Sequence, residues 1–401
     1  MCVPYRWSEF DLKKIGILGG TFDPVHKGHM ELARTAIEKL QIDEFWFVPN
    51  GKPPHKQGGL MSFDRYNMVK ELIPKYDIDG KMKISDFELY KEGASYTYET
   101  LTHFKGLYPA CELIFIIGMD NLNEISSWKN PDEIFKLATV AVFDRAGYEK
   151  DEKIILDLEI KYGATLKFFD FDFPISSTEI KEMLKKGDNV LNYLDITTLK
   201  YIFRNGLYDN PPVSEYDFYD DDLKNFIEQK RYDHSIGVAV TAYILAIRYK
   251  EDVKLAYLTG LLHDIAKRLP IEKQMELCKN MKLYPDELLY PKMLHSPAGA
   301  ALVEQVYNIT DKKILNAIRL HTIGSGRMTV FDKIIYLADY IEPCRDFENL
   351  TELRKLAFCD MDRALIRGVD ITLLSLVAEG NKISPILLNL RNELIDIQSG
   401  V

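Results

Sequence analysis

The stretch "GILGGTFDPVHKGH", Gly16–His29, decides how this chain is read. It follows the apolar run "KIGIL" (Lys14–Leu18) and leads into "HMELARTAIEKL" (His29–Leu40), whose apolar residues recur at helical spacing. A glycine-rich turn between a strand and a helix is where α/β sheets bind nucleotides, since the helix N-terminus offers unpaired N–H groups. The turn is neither GxGxxG nor a P-loop, because it lacks the GK[ST] ending. Gly19 and Gly20 let backbone approach a phosphate, and Gly28 permits close approach at the helix start. His26 and His29 lie three apart and share one side of the first helical turn. Imidazoles there can donate to phosphate oxygens as negative charge builds during transfer at phosphorus.

Working outward, "EFWFV" (Glu44–Val48), "LIFII" (Leu113–Ile117) and "TVAVF" (Thr139–Phe143) read as further buried strands separated by amphipathic helices. Alternating strands and helices predict a doubly wound α/β fold with a parallel sheet, Rossmann-like. The polar, proline-bearing "LYDNPPVSEYDFYDDD" (Leu207–Asp222) breaks this pattern. Beyond it the strand signal disappears, and segments such as "HSIGVAVTAYILAIRY" and "VFDKIIYLADYIE" predict an all-α second half. The expected organisation is one domain over 13–208, a linker over 209–222 and a second domain over 223–401.

The chain has 401 residues, 46% of them hydrophobic and 28% charged, which supports two globular domains with ample core. A net charge of −10 argues against nucleic acid as a partner, so positive potential for an anionic ligand must be concentrated locally. The five cysteines, Cys2, Cys111, Cys278, Cys344 and Cys359, form no CxxC pair and fit reduced thiols. "MCVPYRWSEFDLKK" lacks a secretory apolar core, and "LIFIIGM" (Leu113–Met119) is too short to span a bilayer. These features predict a cytoplasmic protein without a membrane partner; a homo-oligomer is compatible with them.

The second half holds His234, His263, His295 and His321, with Asp264 beside His263 in the apolar "GLLHDIAK" and Asp339 in "IIYLADYIE". Burying an aspartate in such a helix is costly unless it is paired or bound to metal. Mixed imidazole and carboxylate ligation accommodates iron, manganese or zinc, and no thiolate takes part.

Several strings of the first half resemble, in order, the HxGH nucleotidyltransferase superfamily, and within it the bacterial nicotinate-nucleotide adenylyltransferases. They are "GGTFDPVHKGH", "VPNGKPPHK", "SFDRYNM", "SYTYETL", "FIIGMDNL", "SSW" and "ISSTEIK". The resemblance implies adenylyl transfer from ATP to nicotinate mononucleotide, assisted by Mg²⁺. It implies that Gly19, Gly20, Thr21, Phe22, His26, His29, Asp120, Ser176, Ser177, Thr178 and Lys181 hold ATP, with His26 and His29 catalytic. His55, Lys56, Thr97, Thr100 and Trp128 fall on the mononucleotide side. Lys181 departs from the family's usual arginine, keeping the charge but losing the bidentate fork.

"HSIGVA", "GLLHDIAK", "LHSPAGA", "AIRLHT", "KIIYLADYIEPCRDF" and "LRKLAFCDMDRAL" resemble the HD-domain phosphohydrolases, and more closely the YqeK-type enzymes that split diadenosine tetraphosphate into two ADP. That resemblance implies one or two metal ions, iron or manganese, on His234, His263, Asp264, His295, His321 and Asp339, with Asp264 catalytic and bridging. Lys267 and Arg345 become candidate phosphate contacts. Three alternatives stay open: another acceptor for the first half, another nucleotide for the second, or a second half that senses a nucleotide without turnover.

Overall fold

The computed structural model describes residues 12–51, 60–91, 93–143, 150–171 and 173–399. The chain divides into two compact units, Met1–Ile180 and Lys181–Val401.

The first unit is built on six strands, β1 Lys14–Gly20, β2 Glu44–Pro49, β3 Met82–Ile84, β4 Glu112–Gly118, β5 Thr139–Phe143 and β6 Leu166–Phe169. Helices α1 Lys27–Leu40, α2 Ser62–Tyr76, α3 Thr97–Leu107, α4 Met119–Glu124, α5 Pro131–Leu137 and α6 Glu152–Tyr162 alternate with them. The sheet order is β3-β2-β1-β4-β5-β6, parallel throughout, which is the doubly wound arrangement expected from the alternating pattern. The strand order reverses direction between β1 and β4, so the crevice beyond their C-terminal ends is the switch point where such sheets bind ligands. β3 and β6, not foreseen from the sequence, are short edge strands of mostly half-buried residues. α1 explains the helical spacing after the opening stretch: Gly28, Met30, Ala33, Ala36 and Leu40 form its buried face.

Helix α7 Ser177–Lys186 spans the point where the units divide. The second unit is helical among its described residues: α8 Ile196–Arg204, α9 Asp217–Phe226, α10 Gln229–Tyr249, α11 Val253–Leu262, α12 Ile271–Leu277, α13 Pro285–Leu289, α14 His295–Tyr307, α15 Lys312–Leu320, α16 Val330–Ile341, α17 Leu350–Ala357, α18 Met361–Ala378 and α19 Pro385–Ser399. Part of the stretch expected as a linker is structured, with a short 3-10 turn at Ser214–Tyr216 running into α9. The reason is tertiary: Asp220 on α9 accepts from Lys200 and from the Tyr232 hydroxyl, and Leu223 is buried. Among the described residues, no helix is long and apolar enough to cross a membrane.

α10 is the axis of this unit, with every residue from Ser235 to Ala246 buried. It meets α11 where Gly260 faces Ala239; a Cβ on Gly260 would lie 2.8 Å from the Ala239 Cα and 3.0 Å from its nitrogen. Backbone cannot yield as a side-chain tip can, so the helices would have to separate. Overpacking of this kind costs about 1–3 kcal/mol, against about 1 kcal/mol gained in helix propensity. Gly260→Ala is therefore expected to lower the thermal midpoint followed by circular dichroism. Gly106→Ala, in α3 where the added Cβ meets nothing within 4 Å, should leave the midpoint unchanged or raise it.

Candidate active sites

At the switch point of the first unit lies a cavity of about 1100 Å³. Its walls bring together Gly19, Gly20, Thr21, Phe22, His26 and His29 from the β1–α1 turn, Asp120 from the end of β4, and Trp128. Thr97 and Thr100 of α3 and Ser176, Ser177 and Thr178 at the start of α7 complete the set. Lys181, one turn further along α7, is not among the lining residues, and His55 and Lys56 lie outside the described residues.

Helix ends position these groups. His26 precedes the first residue of α1, and its backbone N–H donates to His29 Nδ1 at 3.2 Å. A ring nitrogen that accepts carries no proton, so His29 holds its proton on Nε2, ready to donate. The two rings stand 3.8 Å apart between centroids, and Phe173 stacks on the His26 ring at 5.6 Å. Gly28 is needed for that stacking, because a Cβ there would lie 2.3 Å from the Phe173 ring. Phe22, at φ 49°, is buried edge-on against His29. On α7, the Ser176 hydroxyl and N–H both donate to Glu179 at 2.7 Å, and Ser177 Oγ donates to Pro24 O at 3.0 Å. Both serine hydroxyls are thus engaged in shaping the helix start.

Three residues that the sequence did not single out hold the cavity together. Phe173 is one. Arg65 on α2 is only 2% exposed and donates to the carbonyls of Thr21 (2.7 Å), Asn50 (2.6 Å) and Gly51 (2.8 Å), joining the loops after β1 and β2. Glu88, buried on the cavity wall, accepts from Thr100 Oγ1 at 2.6 Å. The spacing of "SFDRYNM" and "SDFEL" carries no sign of these contacts, which form only across the fold. Trp128 is half-buried at the rim of the strand core, edge-on to Phe115.

In the second unit the four histidines and two aspartates converge. His263 and His321 immediately follow the last residues of α11 and α15, so the His263–Asp264 pair closes a helix rather than lying within one. His263 Nδ1 lies 2.7 Å from Gly260 O, His321 Nδ1 2.7 Å from Ile318 O, and His295 Nδ1 2.6 Å from Lys292 O. A carbonyl can only accept, so each Nδ1 carries the proton and each neutral ring presents a bare Nε2. Asp264 Oδ1 lies 3.2 Å and 3.4 Å from Nε2 of His295 and His321, and its Oδ2 lies 3.7 Å from Nε2 of both His234 and His263. Asp339 Oδ1 faces the same pair at 3.2 Å and 3.9 Å. Asp264 thus offers one oxygen to each pair of imidazoles.

These atoms fit a cation better than one another. His295 and His321 point Nε2 at Nε2 across 3.2 Å, lone pair against lone pair. The buried Nε2 of His234 and His263 and Oδ1 of Asp264 make no hydrogen bond. Burial lowers His263 to about 3, holding it neutral as a metal ligand must be. For His234, burial is outweighed by Asp339 and Glu342, and the ring is raised to about 9. Burial would raise both aspartates, but surrounding imidazoles hold Asp264 well below the usual range, and His234 and Arg345 do so for Asp339. Lys267 donates to Asp264 at 2.7 Å and Arg345 to Asp339 at 2.5 Å. Arg231, not foreseen, stands 3.7 Å from Asp264.

The Cytidylyltransferase-like family matches residues 17–183, and the HD domain family matches residues 231–344. A protein of Mycoplasma genitalium named "Probable nicotinate-nucleotide adenylyltransferase/Ap4A hydrolase" is 32% identical over 88% of this chain and 96% of its own length. A "Probable nicotinate-nucleotide adenylyltransferase" of Clostridium tetani is 41% identical over 49% of this chain and its whole length. A crystal structure from Clostridium acetobutylicum, described as a "predicted HD superfamily hydrolase involved in NAD metabolism", is 41% identical over 45% of this chain and 97% of its own, with a TM-score of 0.44.

Burial raises the Glu88 carboxyl above its ordinary value of 4.5, against the lowering effect of Thr100. A raised carboxyl contributes stability that is fully present below the unfolded value and is lost as pH rises through the folded value. Glu88→Gln cannot ionise, so it should lose less stability than the parent between pH 4 and pH 7. Urea unfolding followed by tryptophan fluorescence measures this in the first unit, since Trp46 and Trp128 lie within it and the second unit carries no tryptophan.

Proposed function

The chain belongs to the two-domain family that joins a cytidylyltransferase-like domain to an HD domain, and on that premise we propose a bifunctional enzyme. The first domain, taken as 13–208, transfers adenylyl from ATP to nicotinate mononucleotide, giving the deamido dinucleotide and pyrophosphate. The second, taken as 223–401 after a connecting stretch over 209–222, is a metal-dependent phosphohydrolase acting on diadenosine tetraphosphate. The observation that carries the first assignment is the single cavity in which His26, His29, Asp120, Trp128 and the start of α7 meet.

In this reading the mononucleotide phosphate attacks the α-phosphorus of ATP in line and pyrophosphate leaves, with no covalent link to the chain. His29 Nε2–H, His26 and the N-termini of α1 and α7 stabilise the charge that develops on the phosphates. Trp128 offers a flat face to the pyridine ring, and Thr97 and Thr100 line the acceptor side. Mg²⁺ supplies charge neutralisation and arrives on the nucleotide phosphates. Among the described residues, the groups able to hold an ion together lie in the second unit.

There, His234, His263, Asp264 and Asp339 would hold one iron or manganese ion and His295, His321 and Asp264 a second. Such ions supply neutralisation of phosphate charge and acidification of a water. Lys267, Arg345 and Arg231 border the carboxylates and would turn to the phosphates of the substrate. Water enters and one phosphoanhydride bond breaks, so symmetrical cleavage yields two ADP.

Pyrophosphate release from ATP with nicotinate mononucleotide, compared with the amide mononucleotide, tests the first reading; release with neither overturns it. His29→Ala should lower that rate about 10²–10³-fold and leave hydrolysis intact. Asp264→Asn should abolish ADP release from diadenosine tetraphosphate and spare transfer. Products of ATP and AMP in place of ADP would overturn symmetrical cleavage.

A further inference from the structure

Three of the four second-unit imidazoles are aimed by their own chain. The carbonyl three residues back fixes the Nδ1–H of His263, His295 and His321, so these locks form with the local turn. His234 has no such lock. It sits inside α10, where preceding carbonyls belong to the helix ladder. Its Nδ1 lies instead 3.1 Å from Glu342 Oε1, a residue 108 positions away at the end of α16.

We propose that Glu342 is a positioning residue for the second-unit metal centre, fixing the His234 ring so that Nε2 faces Asp264 and Asp339. The inference rests on reading the cluster as a metal centre. Glu342 is 1% exposed, which shields its carboxylate from bulk solvent. Its second oxygen accepts from the Cys344 N–H at 2.5 Å, so the carboxylate is held at both ends. Arg354 donates to the Ile341 and Glu342 carbonyls at 2.8 Å and 2.7 Å, closing the C-terminus of α16 and anchoring the backbone. The same helix end carries Asp339 three residues earlier, so α16 presents a carboxylate to each nitrogen of the His234 ring.

Gly237 is the counterpart on α10. It lies three residues after His234 on the same helical face, and a Cβ there would stand 2.4 Å from Glu342 Oε2. A glycine in the middle of a buried helix costs about 1 kcal/mol relative to alanine, and here it makes room for the carboxylate. Gly237→Ala therefore displaces Glu342 without removing any donor or acceptor. Glu342→Gln is a finer instrument: glutamine has one acceptor oxygen where two N–H donors converge, so it satisfies His234 or Cys344 but not both.

The test titrates Mn²⁺ into the metal-stripped full chain by chelator competition, alongside the thermal midpoint of the same metal-free protein. Glu342→Ala and Gly237→Ala should weaken Mn²⁺ binding about 10–100-fold, and Glu342→Gln should fall between them and the parent. A role confined to stability would move the midpoint and leave affinity in the folded protein unchanged, which overturns the proposal. If Glu342→Ala does not fold, Glu342→Gln and Gly237→Ala carry the comparison. A parent chain that binds no Mn²⁺ overturns the metal reading itself, whereas a parent that binds with unaltered variants overturns only the role of Glu342.

Discussion

An imidazole has two ring nitrogens, and at His29, His263 and His321 the end of a helix claims one of them. The polarity of the helix decides which chemistry the other can perform. At the N-terminus of α1 the unpaired groups are N–H donors, so His29 Nδ1 accepts and its Nε2 keeps a proton for an anion. After α11 and α15 the unpaired groups are carbonyls, so His263 and His321 donate from Nδ1 and leave Nε2 bare for a cation. One residue type thus presents a donor in one unit and bare acceptors in the other, with the backbone setting the difference.

The same economy governs charge. The chain carries a net charge of −10, yet under the proposed function both sites take phosphate compounds. In the first unit, positive potential comes from two helix N-termini converging on one cavity and from the buried Arg65 behind it. In the second, Asp264 is buried and Asp339 half-buried beside imidazoles, and they are paired with Lys267 and Arg345. A buried carboxylate without such partners would cost several kcal/mol. The cations foreseen as phosphate contacts are therefore also what makes these two carboxylates tolerable in the metal-free protein.

Much of this was legible in the sequence because it is local. The strand runs, the helical spacing after His29 and the clustering of histidine with aspartate depend on near neighbours in the chain. The edge strands β3 and β6 escaped because three or four half-buried residues carry too little periodicity. The expected linker holds a helix because Asp220 meets Lys200 and Tyr232, which no local pattern announces. Arg65, Glu88 and Glu342 escaped for the same reason. Arg65 is 44 residues from Thr21, and Glu342 is 108 from His234, so their roles exist only once the chain has folded.

Arg65 has a mechanical meaning as well as an electrostatic one. Its guanidinium is planar and rigid, and it is bonded at once to the loop that carries Thr21 and to the loop that begins at Asn50. Backbone at Thr21 and at Asn50–Gly51 that shares a rigid strut cannot shift independently. A push on either is transmitted to the other as displacement rather than absorbed as slack. Thr21 and Asn50, which both border the cavity, are accordingly held at a fixed spacing, so the width of the cavity between these two points is set by one side chain.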